Sequence, residues 1–123
     1  MFKVLIVDDD PVQCRLASEV VERAGFVPFV ANSGTQAMTL LAETPGIGAM
    51  LLDLVMPEMD GMAVLEAMKR EGYAIPVIVM TAQSSLDTVV SAMRLGATDF
   101  FVKPVSPERI TVSLRNALKL GTL

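Results

Sequence analysis

The chain has 123 residues, 52% apolar and 20% charged, with a formal net charge of −4, a single cysteine and no histidine. That length suits one domain, 1–123, and the apolar share is too high for disorder; no apolar run approaches the roughly 20 residues of a membrane span and no basic run exists to neutralise nucleic-acid phosphates. One cysteine, Cys14, permits no internal disulfide, so a reducing, cytoplasmic setting fits best, and the missing histidine excludes serine–histidine triads, most zinc sites and a phosphohistidine role for this chain.

The run FKVLIV (2–7) predicts a first buried strand, and it is too short and too acidic at its end for a secretory signal. Three carboxylates follow, Asp8, Asp9 and Asp10. Like charges about 4 Å apart repel by roughly 4 kcal/mol at an effective dielectric near 20, so the cluster needs water or a partner. Asp10, Pro11 and Gln13 read as an N-cap, a proline at the first helical position and a capping-box glutamine, which assigns Asp10 to starting a helix. Val12, Leu16, Val20, Val21 and Ala24 predict the apolar face of that helix, which should end at Gly25.

A second strand is predicted over FVPFVA (26–31), and Ser33 with Gln36 repeats the capping box before a helix whose face carries Ala37, Leu40 and Leu41. IGAMLL (47–52) predicts the third strand; Leu65 and Met68 mark the helix after it, ending at Gly72. IPVIVM (75–80) predicts the fourth strand, with Val89, Val90 and Met93 on the next helix and Gly96 beyond it. TDFFV (98–102) is the fifth. Ser106, Pro107 and Glu108 then open a final helix through Ile110, Leu114, Ala117 and Leu118. Cys14 and the methionines at 50, 56, 59, 62, 68, 80 and 93 fall at core or core-edge spacing and read as filler.

Strand and helix thus alternate five times, which predicts an α/β fold: a doubly wound, five-stranded parallel (βα)5 sheet with helices on both faces. Ligands of such sheets bind outside the carboxyl ends of the strands. There the first strand delivers Asp8 and Asp9, the third Asp53, the fourth Thr81 and the fifth Lys103, whereas the second delivers only Ala31 and Asn32 and belongs at an edge. If the first and third strands are neighbours about 5 Å apart, the three acids converge, and a hard oxygen-seeking cation such as Mg²⁺ resolves their repulsion. Thr81 can donate to a phosphoryl oxygen and Lys103 supplies a mobile positive charge. Metal, carboxylate nucleophile, hydroxyl and lysine together suit phosphoryl transfer, with Asp53 the best nucleophile.

Over essentially its whole length the chain resembles the receiver domains of two-component response regulators, through VDDDP (7–11), LLDLVMPEMDG (51–61), PVIVMTA (76–82) and GATDFFVKP (96–104). The resemblance implies the flavodoxin-like strand order 2-1-3-4-5 and phosphorylation of Asp53 by a histidine kinase or histidine phosphotransfer protein. It implies Mg²⁺ held by Asp9, Asp53 and the Val55 carbonyl, with Asp8 acting mainly through a metal-bound water. Thr81, the Ala82 N–H and Lys103 would hold phosphoryl oxygens, and the Lys103–Pro104 peptide is often cis in such domains. Thr81 and Phe100 would form the switch, altering the face made by the fourth helix, fifth strand and fifth helix, through which the family also dimerises. Val55 and Gln83 flank the site and bear on the lifetime of the phosphoryl group. The closing run KPVSPERITVSLRNALKL looks like receivers joined to ATPase-type transcription activators, so the output is an attached domain or a partner protein.

Two other readings stand beside this one. Asp8, Asp10 and Val12 fit the opening motif of haloacid-dehalogenase-like phosphatases, although those enzymes need a further acidic pair after the lysine and only Glu108 follows Lys103 here. A binding module that keeps the fold without being phosphorylated is the other. On the main reading the chain is no enzyme beyond its own aspartyl phosphorylation and dephosphorylation.

Overall fold

The computed structural model describes residues 2–83 and 85–121. Five strands, β1 (Lys3–Val7), β2 (Val27–Ala31), β3 (Ile47–Leu52), β4 (Val77–Thr81) and β5 (Asp99–Val102), alternate with α1 (Pro11–Arg23), α2 (Gly34–Glu43), α3 (Gly61–Arg70), α4 (Leu86–Arg94) and α5 (Pro107–Gly121). All pairings are parallel and the order is β2-β1-β3-β4-β5, so the second strand is at the edge as its bare end predicts.

Period-two alternation divides the strand side chains between two apolar layers. On one face Leu5, Val7, Met50, Leu52, Val77 and Val79 pack with Ala37 and Leu41 of α2, Val64, Leu65 and Met68 of α3, and Ala92 of α4. On the other, Val4, Ile6, Leu51, Ile78 and Met80 pack with Cys14, Ala17 and Val21 of α1 and Ile110, Leu114 and Leu118 of α5. Central strands are therefore apolar on both sides, which is why they read as continuous runs. No helix among the described residues is long and apolar enough to cross a membrane.

Helix ends follow local chemistry. The side chains of Asp10, Ser33, Asp60 and Ser85 accept backbone N–H groups of the first turns of α1 to α4, and Ser106 Oγ accepts the Arg109 N–H at 3.3 Å. Gly25, Gly72 and Gly96 have φ of +93°, +79° and +103°, and the residue after each donates back to the last helical turn, closing three left-handed caps. Two details differ from expectation. The Asp10 N–H is bonded to Asp8 Oδ1 at 3.0 Å, so Gln13 closes no box, and Gln36 Oε1 accepts the N–H of Asn32 rather than that of Ser33.

The predicted faces of α1 and α4 match the observed ones only in part: Val21 is fully buried and Val20 packs against the core, but other predicted positions are exposed. In α1 the buried stripe is Cys14, Ala17 and Val21, while Val12 and Leu16 are 63% and 51% exposed. In α4 only Ala92 is buried; Val90 and Met93 are exposed with Leu86. The buried positions are taken mainly by small side chains, Cys14, Ala17 and Ala92, together with Val21, while Val12, Leu16, Leu86, Val90 and Met93 are exposed.

Candidate functional site

Parallel registry creates the site. Val7 pairs with Leu52 and the Asp53 N–H donates to the Val7 carbonyl at 2.9 Å, so Asp8 and Asp53 leave adjacent strands side by side. One carboxylate oxygen from each of Asp8, Asp9 and Asp53 lies within 4.8 Å of the others; Asp8 and Asp53 are buried and Asp9 is exposed. Lys103 reaches across from the end of β5, with Nζ 2.7 Å from Asp8 Oδ2 and 3.5 Å from Asp53 Oδ2. The ammonium offsets repulsion between the two buried acids. The Lys103–Pro104 peptide is cis.

Asp10 does not join this cluster. Its Oδ1 takes the Val12 N–H at 2.9 Å, the cap geometry, so the Asp8–Asp10 pair that a dehalogenase-type phosphatase requires is absent from the site. The run of acids is thus divided in space, Asp8 and Asp9 at the cluster and Asp10 at the start of α1.

Burial pushes the Asp53 carboxyl above its ordinary pKa, and Asp8 adds to this, while the Val55 N–H on Oδ1 at 3.2 Å, Lys103 and to a smaller extent Thr81 pull it back. For Lys103, burial alone lowers the pKa, but the bonds and charge of Asp8 and then Asp53 outweigh it and the net shift is upward. Lys103 is therefore an ammonium throughout the neutral range.

Thr81 is fully buried at the end of β4, and its Oγ1 accepts the Gln83 N–H at 3.4 Å; Ala82 and Gln83 are exposed on the rim. Val79 pairs with Phe100 and Thr81 with Val102, which puts Thr81 and Phe100 on the same face of the sheet as diagonal neighbours. Phe100 is half-buried against the α2–α3–α4 layer. The Val55 side chain is 49% exposed.

Three supporting residues were not anticipated. A Cβ at Gly61 would lie 2.5 Å from the Asp53 carbonyl oxygen and 2.6 Å from Leu54 Cα, so only glycine lets α3 start against the acid's own backbone. Gly34 is pressed likewise on Met59, where a Cβ would meet the carbonyl oxygen at 2.5 Å. Glu58, beside Met59 in the loop between β3 and α3, has φ of +63°, the left-handed region that disfavours a side chain. These close approaches are tertiary and leave no local trace in the sequence.

A five-stranded sheet of order 2-1-3-4-5 carrying this acid cluster, threonine and lysine at its carboxyl edge defines the receiver class. The chain belongs to the response regulator receiver domain family, whose family model matches residues 4–115. It is 38% identical over 115 residues to the transcriptional regulatory protein ZraR of Escherichia coli K12 and 36% identical over 122 residues to the regulatory protein AtoC of the same strain, matching 94% and 98% of this chain. A putative response regulator NtrX-like of Rickettsia bellii is 34% identical over 125 residues, matching 100% of this chain. The match spans only 26% of the length of each of these relatives. Among solved structures, a response regulator receiver domain protein from Clostridium thermocellum superposes with a TM-score of 0.93 at 26% identity, covering 99% of this chain and 98% of that one. The chemotaxis protein CheY4 of Vibrio cholerae gives 0.89 at 27%, covering 96% and 99%. The chain is thus a receiver domain of a response regulator, and not a member of a catalytic family in the usual sense.

Proposed function

We propose that Asp53 is the phosphoacceptor. The observation that carries this is its position: a buried carboxylate at the centre of the strand ends, flanked by Asp8 and bonded by Lys103 and the Val55 N–H. An Asp53 oxygen attacks the phosphorus of a phosphohistidine on a histidine kinase or histidine phosphotransfer protein. The new P–O bond forms as the P–N bond breaks, and the imidazole leaves with the electron pair. Lys103, already in place at Asp53, pairs with a phosphoryl oxygen, and the Thr81 hydroxyl and Ala82 N–H donate to the others.

The donor set fits Mg²⁺: three hard carboxylate oxygens within 4.8 Å, open to water on the exposed Asp9 side. Asp9, Asp53 and the Val55 carbonyl would hold the ion, with Asp8 acting through a water. When bound, it neutralises charge on the carboxylates and on the phosphoryl oxygens being transferred.

Docking of the donor is supported by α1. Val12 and Leu16 present exposed apolar surface beside the acids, and a cleft of about 790 Å³ between α1 and α5 opens onto Asp8, Asp53 and Lys103. Thr81 and Phe100, sharing one face, form the switch; the face it alters carries exposed Leu86, Val90, Met93 and Val102 and would serve a homodimer or an output partner. Residues 1–123 act as one domain, in the cytoplasm, governing an output domain that is transcriptional by analogy with ZraR; the chain itself has no contact with nucleic acid. Beyond its own aspartyl phosphorylation and dephosphorylation it turns over no substrate. Incubation with Mg²⁺ and acetyl phosphate should add one phosphoryl group to the wild type and none to Asp53→Asn; an unmodified wild type would overturn this reading.

A further inference from the structure

The loop between β1 and α1 must aim Asp8 and Asp9 at Asp53, yet it is short and Asp9 is exposed. Cys14, in the first turns of α1, is buried at 5% exposure beneath it. Its thiol donates to the Asp8 carbonyl at 3.2 Å, and its backbone N–H donates to the Asp10 carbonyl at 3.0 Å. One residue thereby grips the chain before and after Asp9. The Asn32 side-chain amide donates to the same sulfur at 3.8 Å from the turn after β2, and the Asp8 N–H donates to the Ala31 carbonyl at 3.1 Å. The sulfur is the middle link between that turn and the acid loop.

An apolar side chain of similar size would serve the layer of Ala17 and Val21 equally well, because that layer asks only for volume. It would leave the buried Asp8 carbonyl without its donor. A peptide that loses such a bond rotates toward another partner, and rotation about this peptide re-aims Asp9 directly. We propose that Cys14 is a positioning residue for the cation site, its S–H···O bond to the Asp8 carbonyl fixing the peptide between Asp8 and Asp9 and with it the direction of the Asp9 carboxylate toward Asp53. The inference rests on the reading of these acids as a Mg²⁺ site.

Titration calorimetry with Mg²⁺ alone, on the full chain under reducing conditions, tests it with Cys14→Ala, Cys14→Val and Cys14→Ser, each checked by thermal melting. Ala and Val should weaken Mg²⁺ binding by about tenfold, the low end for loss of a group that orients a metal ligand. Ser, which keeps a donor, should return to within about twofold of wild type. Stability should follow a different order, since a buried hydroxyl fits an apolar layer worse than Val does. Ala and Val variants that bind like wild type, or a Ser variant as weak as Ala, would overturn the inference while leaving the cation site standing. A wild type that binds no Mg²⁺ would overturn the cation-site reading itself, and the inference with it.

Discussion

Replacing Gly61 by alanine should injure both the fold and the acceptor. The added Cβ would stand 2.5 Å from the Asp53 carbonyl oxygen, 2.6 Å from Leu54 Cα and 2.8 Å from Leu54 Cδ2, where ordinary contacts begin near 3.4 Å. Two of those three atoms are backbone, so relief requires α3 or the end of β3 to move by up to about 0.9 Å, the shortfall from a normal contact distance. Overpacking of this kind costs roughly 1–3 kcal/mol, and alanine's better helix propensity returns at most about 1 kcal/mol. At about 3–5 °C per kcal/mol for a domain of this size, a net loss in the middle of that range, about 1–2 kcal/mol, should lower the melting temperature by about 3–10 °C. The acceptor's backbone takes part of the displacement, and a misplacement near 1 Å can cost about 100-fold in rate. The assay is the initial rate of Asp53 phosphorylation by acetyl phosphate in Mg²⁺, measured well below the variant's melting temperature. A Gly61→Ala protein that melts within a degree of wild type and phosphorylates at the same rate would refute the steric argument.

Asp9→Ala should abolish Mg²⁺-dependent phosphorylation with little change in melting, whereas Asp10→Ala should keep phosphorylation and lose about 1 kcal/mol from the missing cap; phosphorylation and melting assays on both variants check the division. Asp53→Asn should melt a few degrees above wild type near pH 7 in chelator. Because burial raises the acid's folded pKa, its protonated form is favoured in the fold, a contribution that is full below the unfolded value and lost as pH rises through the folded one. The gap between variant and wild type should therefore close as pH is lowered toward the carboxylate range, and a gap that widens would contradict the sign. Glu58→Gly should raise stability by about 0.5–1 kcal/mol by relieving the left-handed backbone, measured by denaturant unfolding against Glu58→Val, which should lower it.

The sheet was legible because its strands are buried on both faces and so appear as unbroken apolar runs, and because ligand chemistry gathers at one edge. Asp8, Asp53, Thr81 and Lys103 could each be located from the strand they terminate, and Asp10 could be separated from its neighbours by Pro11. The helix faces of α1 and α4 were legible only in part. Periodicity weights large apolar residues such as Leu16 and Met93, while the surface against the sheet is made by Cys14, Ala17 and Ala92. The roles of Gly34, Gly61 and Cys14 depend on atoms distant in sequence or on a backbone carbonyl, and residue type alone carries neither.

The central claim is that Asp53 is the residue that takes the phosphoryl group, and mass spectrometry of the protein after incubation with Mg²⁺ and acetyl phosphate tests it most directly. Borohydride reduction of the acyl phosphate, followed by peptide mapping, should mark Asp53 in the wild type and leave Asp53→Asn unmodified. A wild type carrying no phosphoryl group, or one marked at Asp8 or Asp9 instead, would contradict the account.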